Sequence, residues 1–328
     1  MKSLTWSYSL LVSLIFVVTG VSCTRDELLK LPSVSTATLK QINSTSVLAG
    51  GTVSSDGGSY VTARGICWGE NQDPTLTNNY TTDGDGIGYF ESTLSGLSGG
   101  TVYYIRSYAT NSQGTAYGNQ YLFVTPLTDV DGNVYATITI GGQTWMAQNL
   151  MTTKFNNNTD IGLVSSSSVW SQLDRPAYCW YKNDKSTNMQ VYGALYNWYA
   201  VNTDRLCPVG WHVPSEKEWL ILSETLGGEL ICSGQLKESG VSHWQEPNEG
   251  ATNNSSFTAL PGGYRTGLSS GSFRTRTYFG WWWASTEYDE TGARARLMTY
   301  DSKELMRGTA LKRNGYSVRC VKDYHVEN

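Results

Sequence analysis

Histidine is scarce in this chain of 328 residues, which carries three: His212, His243 and His325. The sequence holds no HExxH motif, no Cys and His cluster at metal-ligand spacing, no GxSxG elbow and no phosphate-binding glycine loop. The commonest zinc, hydrolase and nucleotide chemistries therefore lack their residues. Charge is sparse as well: charged residues make up 16%, and a net charge of −4 argues against general affinity for nucleic acid. The longest apolar stretch, residues 10–18, is too short to span a bilayer. With Lys2 before it and small residues through Ser22 after it, it reads as the core of a secretory signal over residues 1–22.

Gly20-Val21-Ser22-Cys23 resembles the lipobox of bacterial lipoproteins, with Gly20 standing where such motifs usually carry Leu. The resemblance implies that Cys23 becomes the lipidated N-terminus and that residues 23–33 form a tether. Thr24-Arg25-Asp26-Glu27 resembles the export signal of surface-exposed lipoproteins in the Bacteroidetes. The implied location is the bacterial outer membrane, lipid-anchored and facing outward.

What the chain has in abundance is 34 Gly, 12 Trp and 21 Tyr, a composition of short strands and many turns. A domain boundary is expected at Thr125-Pro126-Leu127-Thr128. Upstream, SVLAGGTV, VTARGICWG, TVYYIRSYAT and QYLFVT are β-branched or aromatic runs, separated by turn-forming SSDGGS and DGDGIG. This pattern predicts an all-β sandwich over residues 34–125. Leu97, Thr101 and Tyr103, followed by Arg106, Ala109 and Asn111, resemble the tyrosine-corner signature of fibronectin type III domains. Such domains are spacers at least as often as binders, so this one is expected to be a stalk, and Cys67 within it reads as a buried thiol.

Downstream, DVDGNVYATITIGGQTWMAQNL, RPAYCWYKND, YGALYNWYAVNTDRLCPVGWHVPSEKEW, FTALPGGYR, WWASTEY and YSVRCVKD occur in the order found in the Fibrobacter succinogenes major paralogous domain family, which the chain resembles over residues 129–324. The resemblance implies a module common on bacterial lipoproteins, with a C-type-lectin-like fold. The residues themselves predict an α+β module with two short helices. Ser215 and Glu218 form a capping box that starts one helix at Glu216; Trp219, Leu222 and Leu226 share its buried stripe, and Gly227 stops it. The second is expected over YGALYNWYAVN, where Leu195, Trp198 and Tyr199 share a face. Alternation in Ala293-Arg294-Ala295-Arg296-Leu297 predicts a strand, followed by a turn at 300–303, a strand over 304–311, an Asn314-Gly315 turn and a last strand through Cys320, completing a meander.

Cys179, Cys207, Cys232 and Cys320 allow three pairings. The resemblance favours Cys207 with Cys320, because both lie in the family's strongest blocks, and leaves Cys179 and Cys232 free. His212, inside the helix-start block, reads as a hydrogen-bonded structural residue.

Calcium is weighed at two places. Asp129, Asp131 and Asn133 open like a calcium loop, but Ile140 occupies the position of the closing glutamate, so a polar turn is the simpler reading. Glu246-Pro247-Asn248 matches the tripeptide of mannose-type lectins, yet Trp282-Trp283-Ala284-Ser285 replaces their second calcium block. No cofactor is assigned. The candidate ligand face lies elsewhere, where residues 294–322 carry eight Lys or Arg against Asp301 and Glu304. Arg and aromatic side chains make strong binding anchors, so Trp281, Tyr288, Arg294, Arg296, Tyr300 and Arg307 are named as that face. The expected function is a non-catalytic surface binding or adhesion module whose partner is an extracellular glycan or surface protein. The alternatives are an oxidase similar to formylglycine-generating enzymes, requiring a free Cys320, and a structural envelope component.

Overall fold

The computed structural model describes residues 28–323. The signal segment, the lipidation site Cys23, the start of the tether and His325 lie outside the described residues. Among the described residues, no helix is long and apolar enough to cross a membrane.

The N-terminal part contains β1 (Ser33–Thr36), β2 (Ser46–Ser55), β3 (Ala63–Gly69), β4 (Asn79–Tyr80), β5 (Gly88–Ser95), β6 (Val102–Asn111), β7 (Gly114–Tyr117) and β8 (Tyr121–Val124). They form two antiparallel sheets, β1-β2-β5 and β4-β3-β6-β7, with β8 also paired to β6. Alternate residues of both sheets meet between them: Val47, Ala49 and Val53 of β2, Phe90 and Leu94 of β5, Ile66 of β3, and Tyr103, Ile105 and Ala109 of β6. The expected corner is present, with the Tyr103 hydroxyl accepting from the Ser98 amide at 3.0 Å. Cys67 is buried, and that burial pushes its thiol up to about 12.

A short hairpin, β9 (Leu127–Thr128) and β10 (Val134–Tyr135), opens the second part. It continues through β11 (Thr137–Ile140), β12 (Gln143–Met146), β13 (Gly162–Leu163), α1 (Ser167–Trp170), β14 (Ala177–Cys179), α2 (Lys185–Tyr192), β15 (Leu195–Tyr196) and α3 (Trp198–Val201). Then follow β16 (Trp211–His212), α4 (Glu216–Thr225), α5 (Cys232–Leu236), β17 (Tyr264–Arg265), β18 (Phe273–Arg274), β19 (Phe279–Glu287), β20 (Gly292–Thr299), β21 (Met306–Leu311) and β22 (Val321–Lys322). The sheets are β11-β12-β22-β16, β13-β14-β15, β17-β18 and the meander β19-β20-β21.

The meander divides the core of this part in two. Trp282 and Trp283 are consecutive in β19, so they point to opposite faces. Trp282 joins Trp145, Trp219, Trp244 and Phe257 on one side, while Trp283 joins Trp198, Trp211, Tyr196 and Tyr316 on the other. Both faces of the meander are therefore covered by protein. The Cys207–Cys320 disulfide closes a separation of 113 residues and lies in the Trp283 cluster. Cys179 and Cys232 are free and buried.

Helix α4 begins at Glu216 as expected, with Ser215 and Glu218 forming the reciprocal box and Gly227 at φ +94° beyond its end. Three expectations need correction. Five short helices occupy the described residues rather than two. The helix expected over YGALYNWYAVN does not form: α2 ends at Tyr192, Gly193 turns the chain at φ +72°, and Leu195–Tyr196 pairs with β14 instead. Asn197 causes the break, since its buried side chain accepts from Ala177 and Ala200 amides and donates to the Arg175 carbonyl, capping the one-turn α3. The last strand does not complete the meander either. Tyr316 bridges to Tyr196 and Ser317 to Trp282, and only Val321–Lys322 is strand, inserted between β12 and β16. Ser317 and Arg319 are buried along with Tyr316, Val318 and Cys320, so alternation does not sort this segment into inside and outside.

His212 ties this insertion to α4. Its Nδ1 lies 2.6 Å from Asp323 Oδ1 and its Nε2 lies 2.7 Å from Glu218 Oε1. Burial disfavours the imidazolium, but the Glu218 and Asp323 carboxylates outweigh it and raise the pKa above 6.5. Burial likewise disfavours the Glu218 carboxylate, and hydrogen bonds from His212 and Ser215 outweigh it and hold its pKa below 4.5.

Three outcomes follow from this architecture. Replacing Cys207 and Cys320 together by Ala should cost about 4 to 5 kcal/mol, from the entropy of a loop on the order of a hundred residues, read by urea unfolding. In a chain beginning after Cys23, the buried Cys67, Cys179 and Cys232 thiols, all pushed up to about 12 by burial, should resist alkylation until the protein unfolds. The His212 contact is complete below pH 6.5 and fades as pH rises through the raised value; its Glu218 side is complete above 4.5 and fades on acidification. His212→Gln should thus cost about 1 kcal/mol near pH 5.5, after discounting for solvent screening. Denaturation at about pH 9 should show a clearly smaller loss, and equal losses would remove the charged contact from the account.

Candidate functional site

The meander places the six residues of the expected ligand face on both sides of one sheet. Register pairs Arg296 with Trp282 and Arg307, and pairs Leu297 with Trp281 and Met306. Trp281 therefore faces away from the arginines. It is half-buried and stacked on Tyr316 at 4.9 Å between ring centroids, so it is no free platform for a sugar ring. Tyr300 packs edge-on against Tyr278.

Arg296 is fully buried, against expectation. Its guanidinium contacts Glu216 Oε1 at 3.0 Å and also Glu229, which Arg307 reaches through Nε at 2.6 Å. Burial of Glu229 opposes its ionisation, yet hydrogen bonds from Arg307 and Arg296 hold its pKa below the ordinary value. Both arginines fasten the segment after α4 to the meander. Only Tyr288 and Arg294 form an outward pair, with the guanidinium 4.3 Å from the ring centroid and Nη1 donating to Thr309.

The positive count along residues 294–322 does not amount to a positive surface. Glu216 and Glu229 neutralise Arg296 and Arg307, Glu249 meets Lys303, Glu287 meets Lys312, and Glu70 of the sandwich meets Lys322. All these acids lie outside the counted stretch.

Neither calcium candidate gathers ligands. Asp129 uses both carboxylate oxygens inside its own turn, accepting from the Asp131 and Asn133 amides, the Asn133 side chain and the Tyr135 hydroxyl. Asn248 is buried and donates to the Glu238 and Gly240 carbonyls, whereas Glu246 is exposed. Beside them the buried Lys237 ammonium donates to the Glu249, Thr299 and Ser302 carbonyls at 2.9 to 3.0 Å. Burial lowers its pKa to about 8, with Glu249 and Asp301 opposing the shift. No group of three or more His, Cys, Asp or Glu able to hold a metal occurs among the described residues.

The recesses lie where the two parts meet. Trp211 Nε1 donates to the Gly99 carbonyl at 2.9 Å, and Gly100, at φ +67°, leaves only 3.0 Å between the Trp211 ring and the place a Cβ would occupy. Beside this contact is a cleft of about 790 Å³ lined by Glu70, Asn71, Thr77 and Asn79 of the sandwich and by Thr144 and Lys322 of the second part. Across the Gly141–Gly142 turn lies a second groove of about 550 Å³, between β12 and α4. In the sequence, Asn71 and Asn79 look like loop punctuation. Nothing marks them as cleft residues, because the opposite wall is more than sixty positions away.

Several solved structures resemble part of this chain. A myokine structure matches at 19% identity over 30% of this chain and 98% of its own, with a TM-score of 0.23. The sensor domain of an anti-sigma factor from Pseudobacteroides cellulosolvens matches at 15% identity, over 29% of this chain and 95% of its own, with a TM-score of 0.23. A human fibronectin type III domain matches at 13% identity, over 28% and 72%, with a TM-score of 0.22. Likenesses of this size assign neither fold nor function. No curated protein matches the chain. The Fibrobacter succinogenes major domain matches residues 138–322, more than half of the sequence and nearly all of the second part. The chain belongs to the Fibrobacter succinogenes major domain family.

Proposed function

We propose that this chain is a non-catalytic binding protein of the bacterial outer-membrane surface, anchored through Cys23. In this reading a fibronectin type III-like sandwich and a C-type-lectin-like module together hold a glycan in the cleft at their junction. One observation carries it: the cleft is walled by Asn71, Asn79, Thr77, Thr144, Glu70 and Lys322. A sugar hydroxyl both donates and accepts, and amide and hydroxyl side chains offer both functions, so such a wall suits a polar, hydroxyl-rich ligand. Asn71 and Asn79 are exposed, and neither side chain is committed to a hydrogen bond within the described residues. The sandwich is then half of the site rather than a stalk alone.

The bond between Cys320 and Cys207 opposes the oxidase alternative, which needs a free late cysteine. Lys237 already serves the carbonyls beside Asn248, so binding is read as independent of calcium.

The test is binding of the mature chain to immobilised polysaccharides and a glycan array, with and without chelator. Asn71→Ala combined with Asn79→Ala should weaken binding about thirtyfold, two neutral hydrogen bonds at the scale of 1 kcal/mol each, without moving the melting temperature. Chelator should change nothing. Unaltered affinity in the double variant would rule out the cleft.

A further inference from the structure

Gln143 opens β12 directly after the Gly141–Gly142 turn, and its side chain is 2% exposed. Neither its Nε2 nor its Oε1 has a hydrogen-bond partner. It is the one buried side-chain amide among the described residues left with both donor and acceptor unmet. Buried amides are nearly always paired, because burying one unpaired forfeits its bonds to water with no return. The surroundings add to the deficit. Trp145, two positions along on the same face of β12, and Trp219 of α4 pack with ring centroids 4.9 Å apart, and the indole N–H of each is also unpaired. Gln143 lines the groove of about 550 Å³ bounded by Gly141 and Gly142 on the hairpin side and by Lys217 and Ile221 on α4. Gly142 lines both this groove and the junction cleft, which places the two recesses side by side.

We infer that the groove is a subsite for the acetamido group of an N-acetylated sugar, with the Gln143 side chain as its recognition group. A primary amide presents N–H donors and a carbonyl acceptor on one side; the acetamido carbonyl can accept from Gln143 Nε2 while the adjacent sugar hydroxyl donates to Oε1, because the N–H and C=O of a trans acetamido group point in opposite directions. The acetamido methyl then has Ile221 and the glycine backbone to rest on. A polypeptide fits less well: it carries an amide at every residue, whereas the groove offers one recognition amide beside a wall suited to hydroxyls. Lys217 is exposed and in no ion pair among the described residues, so its flexible stem is free to move from the rim as the ligand enters. This assignment rests on the glycan reading above and narrows it to N-acetylated sugars.

The experiment is calorimetric titration of the mature chain with a tetramer of β-linked N-acetylglucosamine and with the matching glucose tetramer. The acetylated tetramer should bind at least tenfold more tightly. Gln143→Met, which keeps the length and removes the orphaned amide, should abolish that preference while the melting temperature stays level or rises. Asn71→Ala with Asn79→Ala should weaken both tetramers and keep the preference. If Gln143→Met raises the melting temperature and the preference survives, the amide holds buried water and the assignment is wrong. Equal binding of both tetramers by the unaltered chain overturns the acetamido subsite but leaves a glycan cleft standing. Failure of both tetramers alongside capture of an acetylated peptide would overturn the subsite and the glycan reading together.

Discussion

Buried cations that donate to main-chain carbonyls hold the second part of this protein together. Among the described residues strand accounts for 36% and helix for 11%, so a large share of the backbone must find partners outside regular ladders. Lys237 serves the carbonyls of Glu249, Thr299 and Ser302. Arg265 serves Val164, Ser165 and Gly271 while lying over Trp170 and Phe273. Arg319 reaches Phe257, Thr258 and the Asn149 side chain, over the Phe257 ring. None of the three forms a salt bridge among the described residues, and each is at most 1% exposed. A buried charge is costly alone, but several charge-assisted hydrogen bonds and an aromatic face offset that cost. One long side chain thereby fixes two or three loop segments far apart in sequence.

The paired tryptophans depend on this arrangement. Trp282 donates to Asn149 Oδ1, the oxygen that also accepts from Arg319, and Trp283 donates to the Tyr196 carbonyl. With a large ring on each face, β19 must be covered by protein on both sides even though it is an edge strand of its sheet. Its neighbours inherit the constraint: Arg296, in register with Trp282, is covered by α4 and must meet carboxylates there.

This explains which parts were legible in the sequence. The capping box at Ser215, the tyrosine corner at Tyr103 and the burial of Trp282 and Trp283 depend on residues close in sequence, and each appears as expected. The YGALYNWYAVN helix was misread because apolar spacing outweighed Asn197, whose side chain serves a strand twenty positions upstream. The Arg-rich segment was misread for a related reason. A charge count along the chain registers Arg296 and Arg307 but not Glu216 and Glu229, which reach them across the fold. Lys237 and Arg265 carry no local mark at all, since a basic residue destined for buried carbonyls looks in sequence like one destined for water.

The same reasoning moves the candidate site from the meander to the junction. Internal neutralisation leaves little of the meander's charge for a ligand, whereas the junction keeps the Asn71 and Asn79 side chains of its sandwich wall free of hydrogen bonds among the described residues. That cleft exists because Trp211, from the family's most recognisable block, donates to Gly99 of the sandwich, and Lys322 of the last strand reaches Glu70. The Cys207–Cys320 bond anchors the second part's side of that contact, as Cys207 lies four residues before Trp211 and Cys320 two before Lys322. A family motif that looks like scaffold in isolation thus sets the spacing of a cleft whose other half comes from the preceding domain. On the proposed glycan reading, ligand preference would change through Asn71, Thr77 and Asn79 on the sandwich while the family's own blocks stay as they are.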